Sequence, residues 1–205
     1  MRLGLRLEPA PLVVTYHPAT LDAAAGQRAR WLLQALEAVD RPILFTRTNA
    51  DPGGRGIWQA IEAFASQHSS ARIVPHLGTQ AYFSVLAQAA AMVGNSSSGL
   101  VEAPSFELPV VNIGARQDGR VRAANVIDVG DRPEEIAAGI ARALSPEFRQ
   151  GLRGLQNPYR SGDASSIIVR RLREIPLDDR LLRKRFVDLA VPAGAAEPQA
   201  GAYAG

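Results

Sequence analysis

The chain has 205 residues, 46% hydrophobic and 21% charged, which is enough for one sizeable core and excludes disorder as a whole-chain description. With no cysteine and three histidines (His17, His68, His76), it offers no disulfide, no thiolate metal site, no cysteine nucleophile and no multi-histidine zinc centre, so neither metal nor cofactor is expected. The net charge of +3 is nearly all arginine, Lys184 being the only lysine, and the charges form no single patch, so no nucleic-acid partner is expected.

Short apolar runs alternate with longer amphipathic ones. Leu12-Val13-Val14-Thr15 predicts a buried strand, and Leu21 to Val39 a helix with Trp31, Leu32, Ala35, Leu36 and Val39 at helical spacing. Pro42-Ile43-Leu44-Phe45 is the next strand. The turn Asp51-Pro52-Gly53-Gly54 leads into a helix from about Ile57 to Ser66. Arg72-Ile73-Val74 is a short strand, Thr79 to Ala90 a helix capped by Thr79, and Ala91 to Gly94 a strand. Asn95 to Gly99 is a polar turn opening a short helix that runs to about Phe106. Pro109 to Ile113 and Val126 to Val129 are strands, and Pro133 to Leu144 is a helix with proline in its first turn. Phe148 to Leu155 and Ser165 to Arg173 are further helical pieces. Leu177 to Leu189 is a charged amphipathic segment expected to pack its leucines on the body. No apolar run approaches the ~20 residues of a membrane helix, and no signal peptide is evident; a cytoplasmic protein without a membrane partner is expected.

Six strands separated by helices predict an α/β fold: a Rossmann-like parallel sheet with helices on both faces. Ligands of such sheets bind beyond the carboxyl ends of the strands. The loops after Thr15, Phe45, Val74, Gly94 and Ile113 are therefore the ones that matter. No Walker loop and no GxGxxG is present, which argues against ATP hydrolysis and NAD binding.

The stretch Gly94-Asn95-Ser96-Ser97-Ser98-Gly99 places small polar residues between a strand and a helix. Unpaired N–H groups and serine hydroxyls there suit a diphosphate, with Gly99 allowing close approach; the same serines would serve ordinary N-capping by Ser97 or Ser98. Glu102, one helical turn on, could accept hydrogen bonds from two vicinal ribose hydroxyls. His17 ends the first strand before Pro18, which stiffens the exit, and its ring is expected in the cleft, where it could donate to a phosphate or transfer a proton. Arg116, between glycines after the fifth strand, could clamp a phosphate. Asn49 lies at the same edge, after the second strand.

VTYHP, NADPGG, GNSSSGLVEAPSF, PVVNIGARQDGR and NPYRSGDAS resemble, in this order, the hydrolysing UDP-N-acetylglucosamine 2-epimerases of the sialic-acid-pathway type, from about Leu12 to about Leu189. Arg160 stands where that family often has glycine. The resemblance implies a GT-B fold of which this chain is the C-terminal, UDP-binding domain (residues 1–190), followed by a disordered tail (191–205). It further implies an N-terminal Rossmann-like domain missing here, so that the chain would be a fragment or half of a split enzyme. The reaction implied is UDP-GlcNAc plus water to UDP plus ManNAc. Ser96 and Ser97 resemble its diphosphate binders, Glu102 the ribose-binding carboxylate, Arg116 a UDP-binding arginine, Asn49 a cleft residue, and His17 the catalytic histidine assisting departure of UDP. The chain alone is expected to be inactive, with apolar surface favouring a partner or a homo-oligomer. Two alternatives stay open: the UDP-sugar-binding half of a GT-B glycosyltransferase, and a catalytically inactive nucleotide-sugar-binding module.

Overall fold

The central strands sort into a sheet because each alternates two kinds of buried neighbour. In a computed structural model describing residues 8–19, 24–160 and 162–183, β1 (Leu12–Thr15), β2 (Ile43–Thr46), β3 (Ala71–Val74), β4 (Ala91–Gly94), β5 (Val110–Ile113) and β6 (Val126–Val129) form one parallel sheet in the order β3-β2-β1-β4-β5-β6. Leu12 and Val14 face one layer, with Phe45, Val93, Val111 and Ile113. Val13 faces the other, with Leu44, Met92 and Val110. A strand buried on both sides is apolar at nearly every position, which is why these runs show no polar alternation; the buried exception in β5, Asn112, bonds Asp128 (2.7 Å).

The first layer holds α1 (Ala25–Leu36), α2 (Gly54–Gln67) and α5 (Pro133–Leu144). They bury Leu32 and Leu36, Ile57 and Ile61, and Ile136 and Ile140, the i, i+4 stripes of three amphipathic helices. The second layer holds α3 (Gly78–Leu86) through Val85 and Leu86, together with a 3-10 turn at Ala103–Phe106 that follows the short α4 (Ser98–Val101). The expected Rossmann-like sheet with helices on both faces is thus present. Its order reverses between β1 and β4, so the crevice where such sheets bind ligands opens beyond Thr15 and Gly94.

Several expected boundaries shift. The third helix starts at Gly78 with Leu77 as its N-cap, so Thr79 lies inside it and caps nothing. It stops at Leu86 rather than Ala90, because Ala90 N–H already donates to Pro11 O (2.8 Å) as the chain enters the sheet. The helix expected at Phe148 begins earlier, as α6 (Pro146–Gln150), since Ser145 accepts from Phe148 N–H (3.2 Å) and Pro146 takes the first turn. Gly99 serves packing: a Cβ there would meet Val110 Cγ1 at 2.7 Å, so the residue brings α4 onto β5 and is not an opening for a ligand.

The chain divides into two units, 1–161 and 162–205. In the second, α7 (Ala164–Glu174) is capped by Asp163, whose carboxylate accepts from the N–H and hydroxyl of Ser166; these bonds hold its pKa below the usual carboxylate value. A short α8 (Asp179–Leu182) follows. Leu177 and Leu182 lie in this second unit. The tail 191–205 and the end of the amphipathic segment lie outside the described residues. Among the described residues no helix is long and apolar enough to cross a membrane.

Candidate functional site

A cavity of about 440 Å³ opens at the carboxyl ends of β1 to β4. Its wall includes Thr15, Thr46 and Arg47, the stretch Val74–Thr79, Tyr82 and Phe83, and then Ser96, Ser97, Ser98 and Glu102. Of the predicted residues, Ser96, Ser97 and Glu102 are brought together here.

The serine turn is shaped by Gly94, whose φ of +136° lets the chain leave β4 sharply while Asn95 N–H still donates to Thr15 O (3.2 Å). The N-capping alternative does not account for the serines. Ser97 is the N-cap residue of α4 but makes no side-chain cap bond, and the Ser98 hydroxyl pairs with Tyr82 OH at 2.6 Å. Ser96 Oγ accepts from Ser98 N–H (3.3 Å). The N–H groups of Ser96 and Ser97 and the Ser97 hydroxyl have no partner among the described residues. Donors left unpaired beside a cavity are the ordinary make-up of an anion site.

The other three predicted residues form a second cluster that does not line this cavity but adjoins it through the chain, His17 following Thr15 by two residues and Asn95 preceding Ser96. His17 is 8% exposed. Its Nδ1 accepts from Asn49 N–H at 3.1 Å. Since a backbone N–H can only donate, the imidazole proton sits on Nε2. Burial first, then the Arg116 guanidinium, lower the His17 pKa to about 4, and Asp51 opposes them. The ring is therefore neutral near pH 7: a hydrogen-bond donor through Nε2, not a stored proton. Asn49 contributes its backbone; its side chain is exposed. Arg116 Nη1 donates to Asn95 O (3.1 Å), leaving its other donors for a ligand.

Linkage makes this testable. Between about pH 6.5 and 4 the unfolded chain takes up a proton at His17 that the native chain refuses, so stability falls as pH drops through that window and levels off below about 4. We expect roughly 1–3 kcal/mol from this group. Urea midpoints across the window should fall in the wild type, with a shallower fall in His17→Gln; identical slopes would refute the neutral, buried assignment.

Several residues of the site were not singled out from sequence. Asn95 bonds both His17 N–H and His17 O (2.8 Å each) and accepts from Gln117 Nε2 (2.8 Å). Gln117, 1% exposed, keeps an unpaired Oε1. Arg47 lines the cavity, with its guanidinium 5.5 Å over the Trp58 ring. Tyr82 has its pKa raised, by burial first. Asn95 and Gln117 stood in the quoted motifs, but nothing in the spacing distinguished them from loop residues. The motif residues Asn157 and Tyr159 are structural: Asn157 Nδ2 donates to Val101 O (2.8 Å) and Ser105 Oγ (2.7 Å), and Tyr159 OH to Val121 O (3.0 Å). No cluster of three potential metal ligands occurs among the described residues.

The model of a family described as UDP-N-acetylglucosamine 2-epimerase matches residues 6–173. The chain is similar to GDP/UDP-N,N'-diacetylbacillosamine 2-epimerase (hydrolyzing) of Campylobacter jejuni, 36% identical over 191 residues, 91% of this chain and 49% of that protein. It is similar to UDP-N,N'-diacetylbacillosamine 2-epimerase (hydrolyzing) of Legionella pneumophila, 34% identical over 185 residues, 89% of this chain and 48% of that one. Among solved structures, the UDP-GlcNAc 2-epimerase of Methanocaldococcus jannaschii in complex with UDP-GlcNAc and UDP has a TM-score of 0.60 and 17% identity, over 80% of this chain and 45% of that one. That likeness establishes the fold alone, the Rossmann-like architecture of a GT-B half. The chain spans about half the length of the curated relatives it matches.

Proposed function

Because the chain belongs to the UDP-N-acetylglucosamine 2-epimerase family, we propose that it supplies the nucleotide-binding half of a hydrolysing 2-epimerase acting on a UDP-linked 2-acetamido sugar. That class holds both UDP-GlcNAc, whose products would be UDP and ManNAc, and the diacetylbacillosamine nucleotide named for the relatives. The observation that carries the reading is the set of unpaired donors of Ser96 and Ser97 on the wall of a cavity that also holds Glu102.

On this reading the diphosphate sits on the serine turn, and Glu102 accepts from the ribose hydroxyls. The base lies against Leu77, Tyr82 and Phe83, the flat apolar part of the wall. Arg116 and the Nε2–H of His17 donate to the diphosphate. The neutral imidazole keeps its Nε2–H on the diphosphate as the sugar–oxygen bond breaks and UDP departs with the electron pair, stabilising the charge that develops there. The base that removes the proton from C2 is not assigned to this chain. The complete cleft includes a second domain of similar size, in keeping with the length of the relatives.

Isothermal titration of the chain with UDP and with inorganic pyrophosphate tests the reading. We expect weak UDP binding, lost by about 1 kcal/mol in Ser97→Ala. Glu102→Gln should weaken UDP but leave pyrophosphate nearly unchanged. No heat at millimolar-order UDP would sink the proposal, and equal losses for both ligands would remove Glu102 from the ribose.

A further inference from the structure

We propose that Asn95 is the positioning residue of this site: its side chain holds His17 in one ring orientation while its main-chain carbonyl holds Arg116 and Gln117 alongside, keeping the serine turn and the histidine in one register. The β1–β4 ladder ends at the pair Thr15–Gly94, where Gly94 turns the backbone away. Beyond that point, among the described residues, the strand exits offer His17 no main-chain partner. The Asn95 carboxamide replaces the missing strand: Oδ1 accepts from His17 N–H and Nδ2 donates to His17 O, both at 2.8 Å and both buried. An amide is the one side-chain group with a donor and an acceptor side by side, as a peptide has, which a hydroxyl or a carboxylate cannot offer. With its backbone held on both sides, the His17 ring has Nδ1 on Asn49 N–H.

The other end of Asn95 sets the charge. Its carbonyl takes Arg116 Nη1 (3.1 Å) and Gln117 Nε2 (2.8 Å). One residue thus holds both the histidine and the guanidinium that faces it, and it directly precedes Ser96. The groups acting on the imidazole are Arg116 from the loop after β5 and Asp51 from the loop after β2, with burial as the largest influence. Losing the carboxamide frees His17 to leave its buried position. The role of His17 rests on the nucleotide-sugar reading; the clasp itself does not.

The test is an NMR titration of isotopically labelled histidine in the ligand-free 205-residue chain. Wild-type His17 should titrate near 4 and show the single Nε2–H tautomer. In Asn95→Ala and Asn95→Ser it should titrate higher, by about one pH unit or more, and lose the single-tautomer signature. Asn125→Ala is the control for general loosening, because the buried Asn125 carboxamide likewise donates to a main-chain carbonyl, Leu108 O (2.8 Å), but at the opposite end of the strands from His17; its His17 should titrate as in the wild type. The proposal is overturned if His17 is unchanged in both Asn95 variants, or if Asn125→Ala moves it equally. It is likewise overturned if neither Asn95 variant folds while Asn125→Ala does, since Asn95 would then serve the fold. Calorimetry with UDP on the same samples separates the two readings: a wild type that binds no UDP defeats the nucleotide assignment and leaves the titration comparison standing.

Discussion

Gly94→Ala is expected to leave little or no folded protein. A Cβ at this position would lie 1.9 Å from Thr15 O and 2.7 Å from Thr15 C, both main-chain atoms of the neighbouring strand. It would also sit at a φ of +136°, which L residues rarely adopt. Neither neighbour can rotate away, since Thr15 is tied into the ladder with Gly94 and bonded to Thr46 across the β1–β2 exit (2.5 Å). The cost should exceed the ~4–5 kcal/mol that already counts as exceptional for a point change, against a total stability of about 5–15 kcal/mol. Circular dichroism and urea unfolding read it directly. Gly56→Ala is the matched control, for Gly56 lies within α2 with nothing within 4 Å of its missing Cβ. It should be neutral or stabilising by about 0.5–1 kcal/mol. A wild-type midpoint for Gly94→Ala would mean that the exits of β1 and β4 are not in contact.

Arg116→Ala should have the largest effect on ligand affinity. The guanidinium is half-buried, stands beside His17 and, among the described residues, spends one donor on Asn95 O. A charge-assisted bond to a diphosphate is worth about 1.5–3 kcal/mol, so UDP affinity should fall roughly tenfold to a hundredfold. The same change should raise the His17 pKa, because one of the two causes that lower it is gone. Arg116→Lys separates these effects: the charge near His17 persists while the planar fork is lost, so the titration should stay low as affinity drops. Unchanged UDP affinity in Arg116→Ala would take this arginine out of the nucleotide site.

Much of the fold was legible in the chain because burial on two faces leaves a plain mark. Leu12-Val13-Val14 and Ala91-Met92-Val93 can be apolar throughout only between two layers, and the stripes of Leu32 and Leu36 or Ile136 and Ile140 can belong only to helices covering them. The boundaries that shifted were those set from outside the element. Ala90 was drawn out of a helix by a carbonyl of Pro11, and Thr79 was passed over as a cap because the helix starts at Gly78. The serine turn was legible as a turn, since small polar residues between a strand and a helix break both periodicities.

By itself, then, the sequence determined the class of fold, the position of the serine turn and the family to which the chain belongs. These depend on local pattern and on motifs read along one strand of residues. What the tertiary structure alone decided is the state of the site: that His17 is neutral with its proton on Nε2, that Arg116 faces it, and that Gly99 fills a packing role. The bonds responsible join His17 to Asn95 across 78 positions, Asn49 to His17 across 32, and Gln117 to Asn95 across 22. No periodicity spans such separations. Burial and the field of a neighbouring charge, which set a proton's place, exist only after the sheet has brought those residues to one edge.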